Sequence, residues 1–143
     1  MESFGYLPRN GPPKKSTDQT AIVKTRSDWA AVAVATAGGA GFAPAAPGTA
    51  GSVVGVLIYL LFEGLNLGAY YLHAIIFFFV VGIWASSRVE HLWGHDAQRI
   101  VIDEVVGQMI TFGFAAGRYQ LSGVEITAGF GLFRLFDIVK PFP

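Results

Sequence analysis

The 143-residue chain contains no cysteine, which excludes disulfides, thiolate metal sites and a cysteine nucleophile. Charge is also scarce: 14% of residues are charged, against roughly 25% in an average soluble domain. The few charges balance to a formal net of zero, so bulk electrostatics give no reason to expect nucleic acid as a partner. Hydrophobic residues make up 52% of the chain, including twelve phenylalanines, and twenty charged side chains cannot cover the surface of so small a domain. A membrane-embedded or membrane-seated protein follows. The N-terminal MESFGYLPRNGPPKKSTDQT has no apolar core of the kind a cleaved signal peptide needs.

Residues 1–27 read as a polar, proline-bearing and disordered tail that carries Arg9, Lys14, Lys15, Lys24 and Arg26. Residues 28–143 form the domain. No charge occurs from Trp29 to Phe62, yet this apolar stretch is broken by GAGFAPAAPGTAGS, whose prolines and glycines forbid an uninterrupted helix. Apolar segments follow at Val53–Phe62, Leu65–Ala85, Val105–Gly117 and Val124–Phe136. Only Leu65–Ala85 has the ~20 residues a span requires, so Val53–Phe62 and Val105–Gly117 must extend into their flanks or stay short. The fold class expected is therefore all-α: a small helical bundle with a Gly/Pro loop interrupting its first apolar region. Basic-residue bias places the tail, the Arg88–Asp103 segment and Lys140 on the cytoplasmic side. Residues 39–52, 96–104 and 134–140 then share one face.

Each of those regions has a chemical reading and a plainer alternative. Gly48, Thr49, Gly51 and Ser52 precede an apolar helix, where open N–H groups and hydroxyls suit a phosphate. No Walker or dinucleotide pattern is present, and an ordinary loop is the alternative. Asp96, Asp103 and Glu104 offer hard-oxygen donors for a cation such as Mg²⁺, or simply complement a helix dipole. Arg134, Asp137 and Lys140 recur at three-residue spacing, as a charged site or as a salt-bridge ladder at the membrane edge. His91 and His95 could share a zinc ion by spacing but lack a third ligand and read as interfacial. Phe77–Phe79 and Trp84 read as lipid-facing or packing surface.

Three segments, Pro44-Ala-Ala-Pro-Gly-Thr-Ala-Gly-Ser52, Ile100-Val-Ile-Asp-Glu-Val-Val-Gly107 and Phe133-Arg-Leu-Phe-Asp-Ile-Val-Lys-Pro-Phe-Pro143, together resemble the phosphatidylglycerophosphatase A family. The resemblance runs from about Trp29 to the end, in the family's order. It implies Mg²⁺-dependent hydrolysis of phosphatidylglycerophosphate to phosphatidylglycerol and phosphate, in phospholipid biosynthesis at the cytoplasmic face of a bacterial inner membrane. It implies Asp103, Glu104 and Asp137 as catalytic acids and metal ligands, with Asp96 a looser fourth. Gly48, Thr49, Gly51, Ser52, Arg134 and Lys140 would hold the phosphate. The implied partners are a phospholipid substrate and the membrane, with homo-oligomerisation left open. Family members carry a further Gly-rich and Asp-Asp segment after the Lys-Pro-x-Pro motif, so residues 28–143 are expected to be C-terminally incomplete. A non-catalytic membrane subunit, a transporter using the broken helix as an ion site, and a soluble phosphatase domain that docks on membranes are the alternatives.

Overall fold

The computed structural model describes residues 25–94 and 98–139. It is all-helical, as expected, with five α-helices and no strand among the described residues: α1 (Arg26–Ala35), α2 (Pro47–Gly64), α3 (Tyr71–Trp93), α4 (Ile102–Gly113) and α5 (Gly123–Val139).

The first helix starts earlier than the sequence indicated. Thr25 caps it in a reciprocal capping box with Asp28, so Arg26 and Ser27 form its first turn rather than the end of a tail. Asp28 also accepts from Arg88 Nε of α3 at 2.8 Å, and Ala31, Val32 and Ala35 pack with Ala85 and Val89. This packing carries α3 through the polar segment to Trp93, eight residues past the apolar run. Its apolar positions there recur at helical spacing while Arg88 and Glu90 stay exposed.

The centre of the bundle is α4. Six of its twelve residues are buried, and it touches α2, α3 and α5. It remains too short to cross a bilayer alone. The approach of α2 to α4 is close because Gly51 faces Val101 and Gly55 faces Val105 and Gln108. A Cβ at either glycine would come within 2.8 Å of a backbone carbonyl oxygen. These pairings climb together along both helices, so α2 and α4 run parallel. Helix α3 runs against α4, pairing Gly82 with Ile102 and Ile75 with Gly113. Helix α5 does likewise, pairing Phe133 with Gly107 and Gly129 with Phe112. Away from the helix starts, Tyr59, Tyr71 and Phe112 close the core with ring centroids 5.0 to 5.7 Å apart. Both phenols are bonded: Tyr71 donates to the Met109 carbonyl and Tyr59 accepts from Leu121 N–H.

Two stretches, Pro47–Gly64 and Gly68–Trp93, are long and apolar enough to cross a membrane. Only 22% of each apolar window is buried, whereas the core helix of a soluble protein would be mostly covered. Leu57, Leu61, Ile76, Phe77, Phe79, Val80 and Ile83 are more than half exposed, and Trp84 nearly so. Exposed apolar side chains on this scale suit a membrane or protein partner.

Candidate functional site

The parallel course of α2 and α4 brings both helix starts to one end of the bundle, and the antiparallel α5 brings its last turns there. Gly48, Glu104 and Arg134 meet as a result. A Cβ on Gly48 would stand 2.7 Å from Glu104 Oε1 and 3.4 Å from Arg134 Nη1, so the backbone at Gly48 sits directly against both side chains. Arg134 Nη1 donates to Asp137 Oδ2 at 2.6 Å across one turn of α5. The two segments read as separate charged motifs in the sequence are thus parts of one cluster with the glycine.

The start of α2 differs from expectation. Pro47, not Thr49 or Ser52, opens the helix, preceded by Ala46 in the left-handed region at φ 52°. Proline suits this first position because its φ is already helical. Pro47 has no N–H, and those of Thr49 and Ala50 return to the Ala46 carbonyl. Gly48 therefore supplies the open donor of the helix start. Ser52 lies a full turn inside, wholly buried, its hydroxyl donating to the Gly48 carbonyl at 3.1 Å. Gly51 is spent on packing against Val101. Of the four residues read as a phosphate loop, Gly48 is the one the structure puts beside the charged groups.

The adjacent acids of α4 interact through their carboxyls but border different spaces. Asp103 is exposed and lines a groove of about 400 Å³ between α3 and α4, together with Ser86, Ser87, Glu90 and mostly apolar residues such as Phe79, Ile83 and Val106. Glu104 points to the other flank, toward α2 and α5. It lies outside the two candidate spans, in the first turn of α4. Burial above all, then the neighbouring Asp103 and Asp137, push its carboxyl up to about 8. Glu104 Oε2 and Arg134 Nε are buried without a hydrogen-bond partner. Among the described residues, no group of three His, Asp or Glu side chains converges into a ready-made metal cage. Asp96, Lys140 and His95 lie outside the described residues.

The donor set nevertheless fits a hard cation in one respect. Glu104 offers an open, buried carboxyl oxygen close to the negative charge of Asp103 and Asp137, and Mg²⁺ takes one or two carboxylates and leaves its other positions to water and phosphate oxygens. Sequence reasoning missed Gln108, buried in α4 with both side-chain polar atoms unpartnered. A single amide inside Val105–Gly117 had looked incidental, and its place four residues after Glu104 was the available signal.

Fold and site together define a helical, membrane-associated protein with a carboxyl–guanidinium cluster seated against a helix start. Comparison with known proteins carries this further. A model of the phosphatidylglycerophosphatase A family matches residues 33–143, and the chain belongs to that family of lipid phosphatases. A Bacteroides thetaiotaomicron protein provisionally named a phosphatidylinositol-3-phosphatase is 38% identical over 120 residues, covering 81% of this chain and 75% of that protein. Phosphatidylglycerophosphatase A of Haemophilus influenzae is 37% identical over 106 residues, covering 73% of this chain and 63% of its own length. The Escherichia coli phosphatidylglycerophosphatase A is 30% identical over 139 residues, covering 96% and 74% respectively. No solved structure matches the chain.

Proposed function

We propose that the chain hydrolyses the terminal phosphate monoester of phosphatidylglycerophosphate, yielding phosphatidylglycerol and phosphate, with Mg²⁺ as cofactor. The observation that carries this reading is the meeting of Gly48, Glu104, Arg134 and Asp137 at one end of a bundle with an exposed apolar flank. Phosphate monoesters hydrolyse extremely slowly in water, so catalysis is chiefly the stabilisation of charge on the transferring group. Arg134 and the Gly48 N–H face that charge. Thr49, Gly51 and Ser52 shape the helix start that presents Gly48, and Lys140 adds a second cation in the same segment. Water attacks phosphorus, the bond to the glycerol oxygen breaks, and that oxygen leaves with a proton. Glu104, whose carboxyl is pushed up to about 8 and so keeps its proton at neutral pH, is suited to give that proton to the leaving oxygen. Asp103, Glu104 and Asp137 would hold Mg²⁺, with Asp96 nearby in sequence, and the ion would polarise the phosphate oxygens. The groove below Asp103 offers an acyl chain an apolar bed.

A second substrate is favoured by a specific observation: the relative at 38% identity carries a phosphatidylinositol-3-phosphatase name. The shared chemistry is a phosphate monoester on a phospholipid headgroup. The site would face the cytoplasm, at the inner membrane of a bacterium. The test is phosphate release by the purified full chain in mixed micelles, comparing phosphatidylglycerophosphate, phosphatidylinositol 3-phosphate and phosphatidate, with and without Mg²⁺. Preference for the first, lost on chelation, is expected. Equal rates on all three would defeat the substrate assignment, and absence of release from any would favour a non-catalytic subunit.

A further inference from the structure

Gln108 is fully buried one turn below Glu104, yet neither its amide nitrogen nor its amide oxygen finds a partner among the described residues. Its surroundings are apolar: Val105, Met109 and Phe112 share its helix in the core, and across from it is the bare backbone of Gly55. Leucine or methionine would fill this volume without the roughly 1–3 kcal/mol that a stranded buried polar group costs. The amide therefore calls for a partner.

Glu104 is a candidate on the same helix face. Side chains four residues apart on a helix are neighbours, with Cβ atoms about 5–6 Å apart. Both turn toward α2, Glu104 against Gly48 and Gln108 against Gly55. Glu104 Oε2 is another buried polar atom of α4 that no N–H or O–H donor of the described residues reaches, although the same carboxyl interacts with that of Asp103. A carboxyl oxygen and an amide, each short of a hydrogen bond, thus stand one helical turn apart, bridgeable by one rotamer change or one water.

We propose that Gln108 is a positioning residue of this site: its amide N–H donates to Glu104 Oε2, directly or through one water, and holds Oε1 toward Gly48 and Arg134. The amide reaches the substrate only through Glu104, so its loss should lower kcat and leave KM nearly unchanged. The kinetic consequence rests on the phosphatase reading above; the hydrogen bond itself does not.

The full chain is compared with Gln108→Leu, Glu104→Gln and the double variant. Gln108→Leu should melt no lower than the parent, lose about 10–100-fold in kcat, and cost nothing further in the Glu104→Gln background. Losses that multiply in the double variant, an effect on KM alone, or unchanged kinetics would overturn the role. The infrared band of the Glu104 carboxyl, identified by its disappearance in Glu104→Gln, should shift in Gln108→Leu. This measurement decides the matter even if no lipid is hydrolysed, and an unmoved band overturns the proposal. Should Gln108→Leu fail to fold, Gln108→Met keeps the unbranched chain and carries the same measurements.

Discussion

Helices α4 and α5 both contribute charged groups to the cluster, but they are held very differently. Half of α4 is buried and it contacts three other helices, whereas none of α5 is fully buried. Its inward residues, among them Ile126, Gly129, Phe133, Arg134 and Asp137, are only partly buried, and Val124, Phe136 and Ile138 face outward at 68–79% exposure. Glu104 is therefore fixed by the core of the bundle. Arg134 is fixed by Asp137 and by the seating of Phe133 on Gly107. A site split between a rigid and a lightly seated helix separates the determinants of stability from those of charge placement, and substitutions on the two helices should divide accordingly.

The largest effect is expected from Arg134→Met, which should reduce phosphate release by about 10²–10³-fold, the typical cost of removing one donor to the developing charge. Because α5 contributes little to the core, the melting temperature should scarcely move, and a calorimetric scan beside the phosphate assay checks both halves of that statement. Gly55→Leu should do the reverse. Its added side chain would collide with the Val105 carbonyl and Gln108, destabilising the bundle by about 1–3 kcal/mol, readable as a lower detergent melting temperature. Gly107→Ala comes next. Its Cβ would meet the Phe133 ring at 2.7 Å, and because that ring can yield, a loss of activity on the order of tenfold with unchanged stability is expected. If Gly107→Ala instead lowered the melting temperature as much as Gly55→Leu, the contrast between the helices would collapse.

The smallest effect concerns pH. Hydrogen bonds from Thr25, and next from Arg88, hold the Asp28 carboxyl below its ordinary value of 3.8. A carboxyl with a lowered folded-state value stabilises fully above its unfolded value, and that contribution fades as pH falls through 3.8 toward the folded value. The melting temperatures of the parent and Asp28→Asn should accordingly differ near neutrality and converge in acid. A gap that stayed constant down to pH 3 would mean the pair contributes nothing through ionisation.

The parts of the site legible in sequence were those with a chemical signature independent of packing. Gly48, Glu104, Arg134 and Asp137 stood out as a helix-start glycine and as charges abutting apolar runs, while their meeting follows from the parallel course of α2 and α4 and the return of α5. The local start of α2 was misjudged because Thr and Ser are the commoner caps, while Pro47 at the first helical position was the better signal. The extent of α3 was hidden by Arg88 and Glu90, which belong to a polar segment after the apolar run, until α1 supplied a surface for Ala85 and Val89. The pairing of Arg88 with Asp28 joins residues 60 positions apart and has no local pattern to reveal it. Gln108 was overlooked for a similar reason: the meaning of one amide depends on what surrounds it.

The parallel course of α2 and α4 has a consequence for biosynthesis. Two parallel neighbours cannot be joined by a tight turn, so the chain must cross back along α3 before α4 can begin. Gly48 emerges during synthesis more than fifty residues ahead of Glu104, and further still ahead of Arg134. The α2–α3 pair can seat itself in a membrane as an apolar hairpin, because its acids, Glu63 and Glu90, lie near the helix ends. The two helices that bring Glu104 and Arg134 to the cluster are made only after this apolar frame.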